Sequence, residues 1–189
     1  SIQMKKIIVV PILIFILFPS NAQQGLPATR SVTSTDPKLS AMLAAEREIL
    51  PVDGELLYDC TNISSYYFST NNGATKTLAL AEESLPFGVK FLLDVKTSGT
   101  NAWEPQFQTP KSQIPIKNGD RLLYIFYMRS TDTESPNDFG KTAFYSQLAA
   151  SPWTTIGGMV ISMNTVWRKI YVTAIANNDF GIDEMIGTF

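Results

Sequence analysis

Apolar and polar residues alternate along most of this chain with the period of two that belongs to strands. In residues 90–95, Phe91, Leu93 and Val95 alternate with Lys90 and Asp94, the half-buried pattern of an antiparallel sheet with one wet face. The pattern is longest in residues 117–129, KNGDRLLYIFYMR. Asn118-Gly119-Asp120 reads as a turn, because glycine tolerates the positive φ that a tight reversal needs. The strand predicted after it puts Leu122, Tyr124, Phe126 and Met128 on one face and Leu123, Ile125, Tyr127 and Arg129 on the other. The first set is a core face. The second ends in a phenol and a guanidinium two residues apart. That pair either solvates a strand end or stacks on and hydrogen-bonds a planar or polyhydroxylated ligand laid across the sheet.

Beyond residue 54 short strand-like runs alternate with turn chemistry, and no convincing helical period occurs. The predicted strands are residues 56–60, 76–80, 90–95, 103–108, 121–128, 141–147, 158–163 and 168–174, with turns at Asn71-Asn72-Gly73 and Gly157-Gly158. This is the signature of an all-β antiparallel sandwich or barrel. Phe91, Leu93, Phe126 and Trp167 are expected between its two sheets. In the run WEPQFQ, Pro105 cannot donate to a ladder, so the segment is predicted to be an edge strand or to contain a bulge. Strict alternation separates Trp103 from Gln106, whereas one bulge brings them to the same face. An indole platform beside an amide and a core tryptophan beside an exposed glutamine both fit.

The start of the chain has a different texture. Met4-Lys5-Lys6, the apolar run 7–18 and then Pro19-Ser20-Asn21-Ala22 have the order of a secretory signal peptide, with cleavage expected after Ala22. Twelve residues including Pro11 fall short of the roughly twenty that span a bilayer. No membrane span is therefore expected in a mature chain, which would be extracellular or periplasmic. Residues 23–53 read as a linker with one short helical candidate: Asp36 as N-cap, Pro37 in the first turn, Leu39, Met42 and Leu43 on one face, and Pro51 as the stop. Residues 54–189 form the β domain.

Composition narrows the chemistry. The chain has 189 residues and a net charge of −2, without a basic run, so the electrostatic footprint of a nucleic-acid partner is missing. It has no histidine. That excludes Ser-His-Asp and Cys-His catalysis and histidine-based zinc sites. Cys60 is the only cysteine, which rules out an intramolecular disulfide and leaves it as a small buried apolar residue. Asn62-Ile63-Ser64 matches a glycosylation acceptor, meaningful in a eukaryotic source alone.

Several motifs then fall into a familiar order: LPF at 85–87, NAWEPQ at 101–106, PIKNGDRLLYIFYMRS at 115–130, SPW at 151–153 and VWRKIYV at 166–172. Together, over residues 52–189, they resemble the carbohydrate-binding modules of the type 4/9 and 22 group, found beside xylanases and other glycoside hydrolases. The resemblance implies a galactose-binding-like jelly roll that binds a polysaccharide such as xylan or β-glucan without catalytic residues. It places Trp103 and Gln106 near the sugar-binding face, Tyr127 and Arg129 on the strand lining it, and Trp153 as a further aromatic contact. Trp167 would be a structural core tryptophan. The resemblance also implies that a closing strand and a downstream catalytic domain are missing from this sequence. No cofactor is implied. Sandwiches of this type often hold a structural calcium, for which no Asp-x-Asp loop appears here. Two other functions compete. A glycoside hydrolase needs two carboxylates about 5–9 Å apart, and most acids here sit in predicted turns or loops. A purely structural sandwich of a surface protein would bury Trp103 and Arg129 or hold them far apart.

Overall fold

The computed structural model describes residues 5–18 by their backbone path, together with residues 55–58, 62–69, 73–80, 89–95, 104–131 and 140–189. The strands are β1 (Lys5–Phe18), β2 (Glu55–Leu56), β3 (Tyr67–Phe68), β4 (Thr75–Leu80), β5 (Val89–Val95), β6 (Phe107–Gln108), β7 (Arg121–Ser130), β8 (Gly140–Leu148), β9 (Thr155–Met163), β10 (Arg168–Ile175) and β11 (Met185–Thr188). A single 3-10 turn at Ile63–Ser65 precedes β3. The first sheet runs β10-β7-β1-β5-β4 with β2 on β1, and the second runs β3-β6-β11-β8-β9. Every pairing between named strands is antiparallel. The expected all-β sandwich class is what forms.

The alternation of β7 is realised as expected: Leu122, Tyr124, Phe126 and Met128 are all buried in the core between the sheets. Phe126 meets Phe144 of β8 at 5.3 Å between ring centroids and Phe189 edge-on at 4.8 Å. Such offset and edge arrangements favour the ring quadrupoles beyond simple area burial. A second aromatic group joins the sheets at their other end, where Phe107 lies 5.2 Å from Phe91 and 5.6 Å from Tyr66. The Tyr124 hydroxyl, which β7 carries into the core, is hydrogen-bonded to Ser146 of β8. Burial raises this phenol far above its ordinary range, so it stays neutral.

The entry to β7 is fixed by the turn that the sequence announces. Gly119 adopts φ +90°, and its N–H donates to the carbonyl of Ala176 at 2.8 Å while Ala176 N–H returns to the carbonyl of Asp120 at 2.9 Å. The buried Asp120 carboxylate accepts from Lys117 N–H at 2.6 Å. Asp179 clamps the outside, accepting from Asn118 N–H at 2.9 Å and from Lys117 Nζ at 3.1 Å. The backbone bond, then the lysine, hold the exposed Asp179 carboxyl below its usual range. Together these bonds tie the start of β7 to the end of β10 and set the register in which the two strands meet.

Three expectations need correction. Gly157-Gly158 is not a turn but lies inside β9. A Cβ at Gly157 would stand 2.6 Å from Cβ of Ala174, and one at Gly158 would stand 2.4 Å from the Phe144 carbonyl oxygen. These glycines are there for close approach between strands, which local turn statistics cannot distinguish from reversal. The strand expected at 103–108 is reduced to Phe107–Gln108, because the ladder starts only after Pro105, which lacks an N–H. Trp167 is half-buried beside Arg129 and does not join the core between the sheets. Cys60, the helical candidate at 36–43 and the LPF motif lie outside the described residues.

The apolar run expected to be a leader pairs as β1 with β5 on one side, from Lys5↔Val95 to Val9↔Phe91, and with β7 on the other, from Ile7↔Ser130 to Phe18↔Arg121. A β-branched, apolar run suits a central strand as well as it suits a leader. Pro11 falls in the register shift between Val10 and Ile14, where a missing N–H costs no ladder bond. Cleavage after Ala22 would remove β1 and part the sheet into β10-β7 and β5-β4. A chain beginning at Gln23 is therefore expected to melt at a lower temperature than the full chain and to bind a hydrophobic dye. Identical melting curves would show that β1 adds nothing to the fold.

The core assignment has its own test. Phe126→Ala should cost about 3–5 kcal/mol in denaturant unfolding, and Gly157→Ala should cost about 1–3 kcal/mol by overpacking β9 against β10. An unchanged unfolding midpoint for either would mean that the faces are misassigned.

Candidate functional site

The outer face of the first sheet, away from the core, carries the side chains with chemistry. Register pairs Lys169 with Tyr127 and Tyr171 with Ile125, so the odd-numbered residues of β7 and β10 share this face. Their even-numbered neighbours Ile170, Val172 and Ala174 are buried inside, which is what turns Lys169 and Tyr171 outward.

Cations and rings interleave on the face. The Lys169 ammonium lies 5.7 Å from the Tyr127 ring centroid and 5.4 Å from that of Tyr171, bridging the two phenols. Next along the strands, the Arg129 guanidinium sits 4.9 Å from the Trp167 ring. All three distances fall in the range where the ring quadrupole attracts a cation. Tyr171 is 38% exposed, and Tyr127, Arg129, Trp167 and Lys169 are half-buried. Burial raises the Tyr127 phenol, with a smaller contribution from Tyr171 beside it, and burial likewise raises Tyr171. Burial lowers the Lys169 ammonium. The three shifts share one cause: polar heads are held partly away from water by the apolar surface around them. A partly dried aromatic surface with cationic donors can take a ligand that offers both a C–H face and polar oxygens.

Of the five residues singled out from the sequence, Tyr127 and Arg129 are brought together here. Gln106 is not with them. Phe107 points into the core, and its neighbours Gln106 and Gln108 bond to each other, Nε2 of Gln108 donating to Oε1 of Gln106 at 2.8 Å, on the outside of the second sheet. Trp153 sits in the β8–β9 turn with φ +56°, half exposed, its N–H donating to the Ala150 carbonyl at 2.9 Å. It too belongs to the second sheet. Trp103 lies outside the described residues. Conversely, Lys169, Tyr171 and Trp167 complete the face without having been singled out as contacts. Alternation in RKIYVTAI turns Lys169 and Tyr171 outward, but only the pairing of β10 with β7 sets them beside Tyr127.

Other surfaces carry less chemistry. By register Asp94 of β5 is the one carboxylate on the outer face of the first sheet among the described residues, beyond β1 from Arg129. No group of three cysteine, aspartate or glutamate side chains that could hold a metal occurs among the described residues. A shallow depression over β8 and β9, lined by Tyr145, Thr155, Gly158, Met159 and Val160, contains no charged side chain. No helix of the described residues is long and apolar enough to cross a membrane. Comparison with protein-family models, curated proteins and solved structures gives no match to this chain.

The coupling between the two phenols can be measured. Replacing Tyr171 with Phe removes the charge that opposes ionisation of Tyr127, so Tyr127 should titrate at lower pH in Tyr171→Phe than in the wild type, followed by ultraviolet absorbance. An unmoved Tyr127 titration would mean that the rings are not neighbours.

Proposed function

We propose that this protein binds carbohydrate, without hydrolysing it, on the outer face of β7 and β10. The observation that carries the reading is the row in which Lys169 bridges Tyr127 and Tyr171 and Arg129 stacks on Trp167. A pyranose ring presents C–H groups that pack on an aromatic face and hydroxyls that accept from ammonium and guanidinium groups. Both kinds of side chain lie here within the span of a short oligosaccharide.

The reading agrees with the resemblance to polysaccharide-binding jelly rolls that the order of motifs supports. It replaces the convergence of Trp103, Gln106, Tyr127 and Arg129 with a site built on β7 and β10. Xylan and mixed-linkage β-glucan remain the first polymers to try, in the setting of a module that serves a glycoside hydrolase. Binding needs no pair of carboxylates, and register gives this face Asp94 alone among the described residues.

Calorimetric titration of oligosaccharides from xylan, β-glucan and pectin tests the proposal. Losing a central stacking residue costs at least about 2 kcal/mol, roughly thirtyfold in affinity, so Tyr127→Ala and Tyr171→Ala should bind that much more weakly while melting near the wild-type temperature. Trp153→Ala, on the other sheet, should bind as the wild type does. Equal heats for wild type and both tyrosine variants, or release of reducing sugar by the wild type, would overturn the reading.

A further inference from the structure

The strands that build this face differ in charge from the rest of the chain. The protein as a whole carries −2, yet β7, RLLYIFYMRS, and β10, RKIYVTAI, contain four cationic residues and no carboxylate. Register puts three of them, Arg121, Arg129 and Lys169, on the outer face with Tyr127 and Tyr171. The fourth, Arg168, has the opposite parity, and its Nη1 donates to the Ser162 carbonyl at 3.3 Å. Lys90 of β5 adds a further positive position to the same face and Asp94 the one negative position, both across β1 from β7.

Neutral sugars do not require this arrangement. Hydroxyls are bound as well by amides, which accept as well as donate, and by carboxylates, which accept. Arginine and lysine only donate, and the planar guanidinium fork matches a carboxylate in two parallel bonds. A cation partly withdrawn from water also gains more from an anion than a solvated one does, since the local dielectric is lower. We infer that the ligand of this face is an acidic polysaccharide, one whose sugar rings carry uronic-acid carboxylates, with the rings on Tyr127 and Tyr171 and the carboxylates on Lys169 and Arg129. The inference rests on the carbohydrate reading above and narrows its ligand class.

Short oligomers of galacturonate and of xylose, titrated separately at low and high sodium chloride, form the test. The uronate oligomer should bind at least about tenfold more tightly at low salt, and that advantage should shrink to within about threefold at high salt as the charges are screened. Lys169→Met and Arg129→Met should lower the affinity for uronate about tenfold each, a larger loss than either causes for the xylose oligomer, and Lys169→Arg should keep the preference. A sulfated oligosaccharide serves as a control for charge alone. Equal, salt-insensitive binding of uronate and xylose oligomers would overturn the acidic ligand and leave carbohydrate binding standing. Uronate binding unaltered by both methionine variants, or weaker than binding of the sulfated control, would overturn it equally. Absence of binding to every oligomer would bring down the carbohydrate reading itself.

Discussion

The packing of β7 between two partners and over an aromatic core is the constraint on which the remaining structure depends. Its inward residues meet β8 and the end of the chain through Phe144 and Phe189, so the sheets are joined by rings from both. A strand held this firmly on one face has no freedom to slip by one residue, because a slip would turn Tyr127 and Arg129 into the core and Phe126 out of it. The stability of the core and the exposure of the site are thus two results of one register. The hydrogen-bonded turn at Lys117–Asp120 reinforces it from the end, where Asp120 and Asp179 hold the strand start against β10.

The same geometry explains why the chemistry gathers on β7 and β10 and not elsewhere. Residues that alternate on an antiparallel pair stand opposite one another across the ladder, close enough for a lysine on one strand to reach rings on both. In the second sheet register puts Lys141, Tyr145, Gly158 and Val160 of β8 and β9 on the outward face, a surface with one cation and one ring among them. The difference between the two outer faces therefore follows from which residues take the outward positions of each strand.

β1 sets the one open tension in the architecture. Its residues satisfy the requirements of an export leader and of a central strand, and both draw on the same property, a short apolar run. As a strand it bridges β5 and β7, which run parallel to one another and would otherwise face each other across a strand-wide gap. Exported protein without residues 1–22 would have to fill or close that gap. The backbone edges of β5 and β7 could not stay unpaired inside the sheet without a large desolvation cost.

Local pattern alone determined a good deal. The period of two gave the class, the inward face of β7 and the Gly119 turn, since each depends only on neighbours in the chain. It also set Tyr127 and Arg129 on one face, because side-chain alternation is a property of the strand and not of its partners. What it could not determine is which strands lie side by side. Lys169 and Tyr171 look like ordinary outward residues until β10 pairs with β7, Trp167 looks like core until Arg129 covers it, and Gly157-Gly158 looks like a turn until Ala174 is found against it. Gln106 was drawn toward the site by a bulge argument, and the pairing of β6 in the second sheet turned it away. Strand neighbours are chosen by the burial of the whole apolar surface at once, a sum over residues far apart in sequence, and only the tertiary structure evaluates it.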